Sequence, residues 1–380
     1  MRICVVGPTY PYRGGIAHYT TLLANHLRSA GHITKLYSYT RQYPRFLFPG
    51  KTDKDPSTTP LRTECEYVLD PTNPLTWWQL CRKVRADAPD VLVLQWWVPY
   101  WTPCLTFVSR WIKRNTKIKV LYICHNVMPH DGGGTLDRRF AMTVLRRGDA
   151  FIVHSEQDRF RLLALLPKAN VMKVFLPSYI ELANQSSGET TAVLRRELNI
   201  PDDRPVVLFF GFVRPYKGLE YLIQALPHVL KELPVHLLVV GEFWSSPQFY
   251  QEYAREFGVE HAITFVNRYV PNEELQPYFD MSEVVALPYI AATQSAVVQL
   301  AFGFGKPVIT TRVGGLHEVV QDGQTGLIVP PQDEVALAGA IVRFLREDMA
   351  APMSAAVRVV AGGWSGSWDK LVAAIVSVGT

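Results

Sequence analysis

The chain has 380 residues, 48% of them hydrophobic, and a formal net charge of +5, which is enough length for two ordinary domains. That charge excludes nucleic acid as an expected partner without a concentrated basic stripe. It suits an anionic ligand or an anionic membrane surface, and a solvated surface with a small cationic excess fits equally well.

In chain order, "RICVVG" (2–7) predicts a buried strand, so a cleaved signal segment is not expected at "MRICVVGPTYP". Gly14 and Gly15 follow, and then an amphipathic helix with Ile16, Tyr19, Leu22, Leu23 and Leu27 on one face, stopping at Gly31. "VLVLQW" (91–96), "IKVLYICHN" (118–126) and "DAFIVHS" (149–155) predict further strands, each nearly continuous in apolar residues. The pattern restarts at "RPVVLFFGFVRPYKGLEYLIQALPHVLKEL" (204–233) and continues through strands at 235–242, 263–269, 284–289, 307–311 and 326–330. Strands alternating with helices and buried on both faces predict parallel sheets. The expected organisation is a first Rossmann-like domain over 1–178, a polar linker over 179–203, a second such domain over 204–360, and a C-terminal segment over 361–380. Within that segment a helix is predicted over 365–378, with Ser367 as its N-cap. No apolar run approaches the ~18 residues of a membrane span. Five scattered cysteines without a C-x-x-C pair argue against zinc or a disulfide framework and suit a reducing cytoplasm.

Ligands of open α/β sheets bind beyond the carboxyl ends of the strands, so the loops there hold the candidate residues. Gly14 and Gly15 let backbone N–H groups approach an anion, with a plain turn as the alternative. In "GFVRPYKG" (211–218), Gly211 precedes Arg214 and Lys217 at a helix N-terminus. Two cations there oppose the helix dipole unless an anion sits between them, and a diphosphate is that anion. A pair of solvated surface cations is the alternative. His125 directly follows a strand; it is a site residue or a satisfied structural histidine. "IAATQSAVVQLAFGFGKPV" (290–308) places Thr293, Gln294 and Ser295 before a short helix whose Val297, Leu300, Ala301 and Phe304 share one face. Thr293 and Ser295 are both candidate caps. "TRVGGLHEVV" (311–320) adds Gly314, Gly315 and Glu318. "GWSGS" (363–367) misses the hydrolase nucleophile pattern, "HDGGG" (130–134) resembles an esterase oxyanion loop without its nucleophile, and "DKD" (53–55) reads as a solvated turn rather than a metal site.

With "GGIAHYT", "CHNVMPH", "GFVRPYKGLEYLIQA", "LVVGE" and "FGKPVITTRVGGLHEVVQDGQTGLIVPPQD" assembled, the chain resembles the GT-B-fold retaining glycosyltransferases of family four over nearly its whole length. The resemblance implies two Rossmann-like doubly wound domains facing across a cleft and a C-terminal helix returning to the first. It implies a nucleoside diphosphate sugar as co-substrate, held mainly by the second domain, with no further cofactor and no metal, because protein cations stabilise the leaving diphosphate. It further implies Gly14–Gly15 at the donor phosphate or sugar, His125 at the donor sugar, and Lys217 at the diphosphate. Two positions depart from the family. Its arginine after the loop glycine is Phe212 here, with Arg214 two residues on. Its pair of glutamates falls on Ala292 and Leu300, with Gln294 and Gln299 the nearest polar residues.

The expected function is transfer of a sugar to an acceptor hydroxyl in polysaccharide or glycolipid assembly, with a saccharide or lipid-linked acceptor. The alternative is a catalytically silent protein that binds a nucleotide sugar or supports a partner enzyme. "LQWWVPYWTPCLTFVSRWIKRNTKIK" (94–119) combines four tryptophans with Arg110, Lys113, Arg114, Lys117 and Lys119. It predicts a cytoplasmic protein in peripheral contact with an anionic membrane, or else a buried aromatic core beside a solvated basic end.

Overall fold

The computed structural model describes residues 1–44, 50–128, 134–183 and 191–379, with side chains omitted at 364–367. Residues 130–133 of the "HDGGG" run and 184–190 of the predicted linker lie outside the described residues. The chain forms two compact units. Met1–Asp55, Pro60–Leu176 and Gly366–Thr380 make the first, and Pro56–Thr59 with Pro177–Ser365 the second.

The first unit holds strands β1 (Arg2–Val6), β2 (Ile33–Tyr39), β3 (Glu66–Leu69), β4 (Val91–Trp96), β5 (Lys119–Cys124), β6 (Ala150–Val153) and β7 (Val171–Lys173). Its helices are α1 (Gly15–Ser29), α2 (Pro74–Asp87), α3 (Thr102–Asn115), α4 (Thr135–Leu145) and α5 (Glu156–Leu165). The sheet order is β3-β2-β1-β4-β5-β6-β7, and every pairing is parallel. β4 is buried at all six positions, as expected of a central strand covered on both faces. β2, β3 and β7 were absent from the sequence reading. β2 and β3 carry exposed or polar residues at their starts, and β7 is three half-buried residues at the sheet edge. Local sequence polarity starts α2: Asn73 caps it by accepting from the Leu75 amide (3.1 Å), ahead of Pro74 at the first helical position.

The second unit holds α6 (Ile180–Ala183) and α7 (Thr191–Glu197), both within the stretch expected to be linker. Strands β8 (Val206–Phe210), β9 (His236–Val240), β10 (Ile263–Val266), β11 (Val284–Leu287), β12 (Val308–Thr311) and β13 (Gly326–Val329) follow, in the order β10-β9-β8-β11-β12-β13. They alternate with α8 (Leu219–Leu230), α9 (Pro247–Glu256), α10 (Leu275–Asp280), α11 (Ala296–Gly303), α12 (Leu316–Val319) and α13 (Glu334–Arg346). All five pairings are parallel. In both sheets the strand order reverses beside the first strand, between β1 and β4 and between β8 and β11. Those switch points are where an open α/β sheet opens a crevice for a ligand.

The last helix, α14, runs Ala350–Gly379. It begins fifteen residues earlier than the predicted 365, so Ser367 lies inside it and is not an N-cap. Gly362 and Gly363 interrupt the sequence signal without breaking the helix, because glycine in a helix interior costs only about 1 kcal/mol. Within the first unit, Trp368 (1% exposed) stacks on His26 with ring centroids 4.8 Å apart.

Candidate functional site

In the second unit the predicted residues collect at the switch point. β8 ends at Phe210, and Gly211 follows with φ +101°, a conformation that a side-chain-bearing residue rarely adopts. A Cβ there would lie 2.9 Å from Lys217 Nζ and 3.2 Å from Val297 Cγ2. The lysine amine and the first turn of α11 therefore converge on the bare Cα of Gly211. Lys217 sits at the end of a 3-10 turn, Pro215–Lys217, and is 6% exposed. The turn is locked from the other side: Gly218 (φ +67°) packs its Cα against the Pro288 carbonyl, and the Ile290 amide donates to the Tyr216 carbonyl at 2.8 Å.

Burial, and secondarily the neighbouring Arg214 charge, lower the Lys217 pKa to about 7 from the ordinary value near 10.5. Both causes penalise the ammonium, and a bound anion would offset them. The Arg214 guanidinium carbon lies 4.8 Å from the ring centroid of Tyr216 and 5.0 Å from that of Trp244. Phe212, in the place expected for an arginine, lies tilted against Trp244 at 4.7 Å and Tyr269 at 6.0 Å between ring centroids. Arg214 is thus held between Tyr216 and Trp244, and Phe212 backs Trp244.

Of the two predicted caps, only Ser295 is one. Its Oγ accepts from the amides of Val297 (3.2 Å) and Val298 (3.4 Å), and stands 3.4 Å from the Tyr289 hydroxyl. Thr293 is buried, and its carbonyl accepts from the Gly315 amide at 2.9 Å. It therefore ties the loop to the Gly314–Gly315 turn instead of capping. Gly314 (φ +51°) is obligatory there, since a Cβ would fall 1.8 Å from the Ala292 carbonyl oxygen. Gln294 is half-buried between them. Glu318 is half-buried on α12, its amide donating to the Gly315 carbonyl at 3.1 Å.

The predicted apolar stripe of α11 is only partly right. Val298, Gln299, Leu300, Ala301 and Phe302 are buried, whereas Val297 is half-exposed beside Gly211 and Phe304 lies past the helix, stacked on Phe279 at 4.4 Å. Ala292 and Leu300 are 7% and 8% exposed, so the positions of the expected glutamates are packed with apolar side chains. Gln299 lies on another face of the helix from Leu300. It shares a helix face with Gly303, whose Cα packs on the Tyr179–Ile180 backbone, and its Oε1 is buried without a hydrogen bond among the described residues.

In the first unit, Gly14 caps α1 with φ 100°, its carbonyl accepting from the Ala17 (3.0 Å) and His18 (3.2 Å) amides. "DKD" is not a free turn: Lys54 pairs in an antiparallel bridge with Tyr12, the Arg13 amide donates to the Asp53 carbonyl at 3.1 Å, and Asp55 lies 3.7 Å from His18 Nε2. His125 follows β5, with its amide donating to the Trp96 carbonyl at 2.8 Å and its Nε2 2.8 Å from Gln95 Oε1. It is 5% exposed, edge-on to Tyr19 at 4.8 Å, and 5.8 Å from the His154 ring. Burial first, and the His154 charge second, hold its pKa well below the usual histidine range, so the ring is neutral at neutral pH.

Sequence reasoning missed four supporting residues: Gln95, Tyr216, Tyr289 and Trp244. Gln95 had a signal, being the one polar residue in the apolar run "VLVLQW". Of the two readings of 94–119, the tryptophans follow the buried-core one: Trp96, Trp97 and Trp101 are 1%, 6% and 0% exposed. Among the described residues no group of three or more His, Cys, Asp or Glu is placed to hold a metal, and no helix is long and apolar enough to cross a membrane.

Residues 204–347 match the family described as "Glycosyl transferases group 1", and residues 14–177 match "Glycosyl transferase 4-like domain". A D-inositol 3-phosphate glycosyltransferase of Corynebacterium urealyticum is 32% identical over 188 residues, 48% of this chain and 44% of that protein. The chain spans about half the length of the curated relatives it matches. Among solved structures, Anabaena HepE in complex with UDP-glucose is similar with a TM-score of 0.74 at 17% identity, covering 99% of both chains. Sucrose-phosphate synthase of Thermosynechococcus elongatus gives 0.71 at 21%, covering 97% of both. These likenesses establish the GT-B fold.

Proposed function

Because the chain belongs to the group 1 glycosyltransferases and has their GT-B fold, we propose that it is a working retaining transferase using a nucleoside diphosphate sugar. The observation that carries this reading is the convergence of Lys217 Nζ and the first turn of α11 on Gly211. There a buried lysine amine, a guanidinium held by two rings and the positive end of a Ser295-capped helix form one anion site. In the reaction, the bond from the anomeric carbon to the diphosphate oxygen breaks while the acceptor oxygen bonds to the same face of that carbon. The acceptor proton passes to the departing diphosphate oxygen. Arg214, Lys217 and the positive end of the α11 dipole stabilise the charge that develops on the diphosphate, the work a divalent cation does in other transferases. Gly14–Gly15 and the neutral His125 are the groups the first unit offers to a sugar. UDP and UDP-glucose bound in a solved neighbour make uridine the first base to test.

The deciding experiment is turnover of a panel of UDP-, GDP-, ADP- and dTDP-sugars, with binding read by thermal shift. Product of retained anomeric configuration supports the reading, and inverted product overturns it. Ala292 and Leu300, packed where carboxylates were expected, favour a second reading, a nucleotide-sugar-binding protein without turnover. Binding without transfer or donor hydrolysis would establish that second reading.

For the acceptor, we place a lipid-linked saccharide at an anionic membrane, because of the outer face of α2, α3 and α4. α2 packs on α3 and α3 on α4. They expose Leu75 (70%), Trp78 (45%), Phe107 (36%), Leu136 (62%), Phe140 (43%) and Met142 (38%). Arg82, Arg85, Arg110, Arg114, Arg138 and Arg139 are exposed on the same three helices. The nearby acids are engaged elsewhere: Asp87 accepts from the Tyr37 hydroxyl (2.6 Å), Asp137 from the Gly134 amide (2.9 Å) and Asp149 from Lys113 (2.7 Å). Apolar tips with cations behind them suit the interface of an anionic bilayer.

A further inference from the structure

The ring of His125 is fixed by a chain of three hydrogen bonds that ends on a backbone carbonyl. Thr20 Oγ1 lies 2.7 Å from the Ile16 carbonyl, Gln95 Nε2 lies 2.7 Å from Thr20 Oγ1, and Gln95 Oε1 lies 2.8 Å from His125 Nε2. A carbonyl only accepts, so the Thr20 hydroxyl must donate to Ile16. Thr20 Oγ1 then accepts from the Gln95 amide NH₂, which turns Gln95 Oε1 toward the histidine. That oxygen also only accepts, so His125 Nε2 carries the proton. Gly7 is part of the device: a Cβ at that position would lie 2.3 Å from Gln95 Nε2, so only glycine leaves the amide room. Thr20, Gln95 and His125 are all buried, Thr20 and Gln95 at 0% and 1% exposed, so water does not compete for these bonds.

We propose that Gln95 is a positioning residue that holds His125 as its Nε2–H tautomer and leaves Nδ1 as the ring's acceptor nitrogen. A ligand group meeting Nδ1 must then bring a proton, as a sugar hydroxyl does. An ionised phosphate oxygen has none to bring. This assignment gives the first unit a group that reads hydroxyls. The functional part of the inference rests on the reading that His125 meets the sugar, while the tautomer itself does not.

His154 supplies an internal control. Its Nδ1 donates to the Val174 carbonyl at 2.7 Å, so it is held as the opposite tautomer by an anchor that involves neither Gln95 nor Thr20. The test is histidine side-chain NMR on the ¹⁵N-labelled full chain, with steady-state kinetics alongside. In the wild type, His125 should report Nε2–H and His154 Nδ1–H. In Gln95→Leu, and in Thr20→Val where the Gln95 amide is free to flip, His125 should become a tautomer mixture while the His154 signals stay in place. kcat/KM should fall about tenfold, the order expected for one lost hydrogen bond. Gln95→Glu keeps an acceptor oxygen at the same place and should keep the Nε2–H tautomer. An Nδ1–H tautomer in the wild type, or an unchanged tautomer in both Gln95→Leu and Thr20→Val, overturns the proposal. Full activity in His125→Ala would instead remove the reading that His125 meets the sugar and leave the tautomer result standing.

Discussion

Lys217 and Gly211 touch: a single carbon added to Gly211 would stand 2.9 Å from the lysine ammonium nitrogen. The pair explains why a strand of this sheet ends in glycine. The positive φ disfavours a side chain, and one would push the lysine amine aside. Gly211→Ala should therefore cost about 1–2 kcal/mol of stability from the left-handed backbone alone, read as a lower Tm. It should also weaken nucleotide binding by displacing Lys217. Unchanged nucleotide affinity in a folded Gly211→Ala protein would count against the anion site.

Removing the amine tests the site's chemistry. Lys217→Ala should lower kcat by about 10²–10³-fold, the range seen when one preorganised donor to a developing anion is lost. A variant with full turnover at saturating donor would show that the leaving diphosphate is stabilised elsewhere.

The pH dependence follows from the lowered Lys217 pKa of about 7. Between pH 7 and about 10.5 the unfolded chain holds a proton on this lysine that the folded, ligand-free chain has released. That contribution to stability therefore grows as pH rises through this window and is flat on either side of it. Binding runs the other way. A diphosphate facing Lys217 and Arg214 favours the ammonium, so donor affinity should fall as pH rises above 7, and binding at pH 8 should take up a proton. Calorimetry in buffers of different ionisation enthalpy measures that uptake directly, and a buffer-independent heat would contradict it.

Arg214 owes its place to Trp244 and Tyr216. Trp244→Leu removes no charge, yet it should weaken donor binding about threefold, the equivalent of one exposed cation–π contact of about 0.5–1 kcal/mol. Nucleotide titration of Trp244→Leu beside Arg214→Ala separates the wall from the cation it holds.

For the outer face of α2–α4, flotation with phosphatidylserine-containing liposomes should be lost at moderate salt in Arg110→Glu/Arg114→Glu, each cation near the surface being worth about 1 kcal/mol. Phe107→Ser/Phe140→Ser should weaken binding at every salt concentration. Equal flotation of wild type and both double variants would remove the membrane from the proposal.

The sequence showed the strand–loop–helix alternation clearly because central parallel strands are apolar on both faces and their loops need glycine. Gly14, Gly211 and Gly314 each hold a positive φ. It also showed the cations, since Arg214 and Lys217 stand together beside a helix start. It misread "DKD", whose bridge to Tyr12 depends on residues forty positions earlier. It likewise misread Thr293, whose polarity suggested a cap but whose carbonyl serves the Gly315 turn.

By itself, then, the sequence determined the doubly wound fold and marked the loops that carry the candidate site residues. Periodicity and glycine placement are local properties, legible within a dozen residues. Only the tertiary structure decided what those residues are. Burial against Gly211 lowers the Lys217 pKa, two rings from separate loops hold Arg214, and a hydrogen-bond chain from α1 through β4 sets the proton on His125. Protonation and orientation depend on desolvation and on partners distant in the chain, and neither exists until the sheet has assembled.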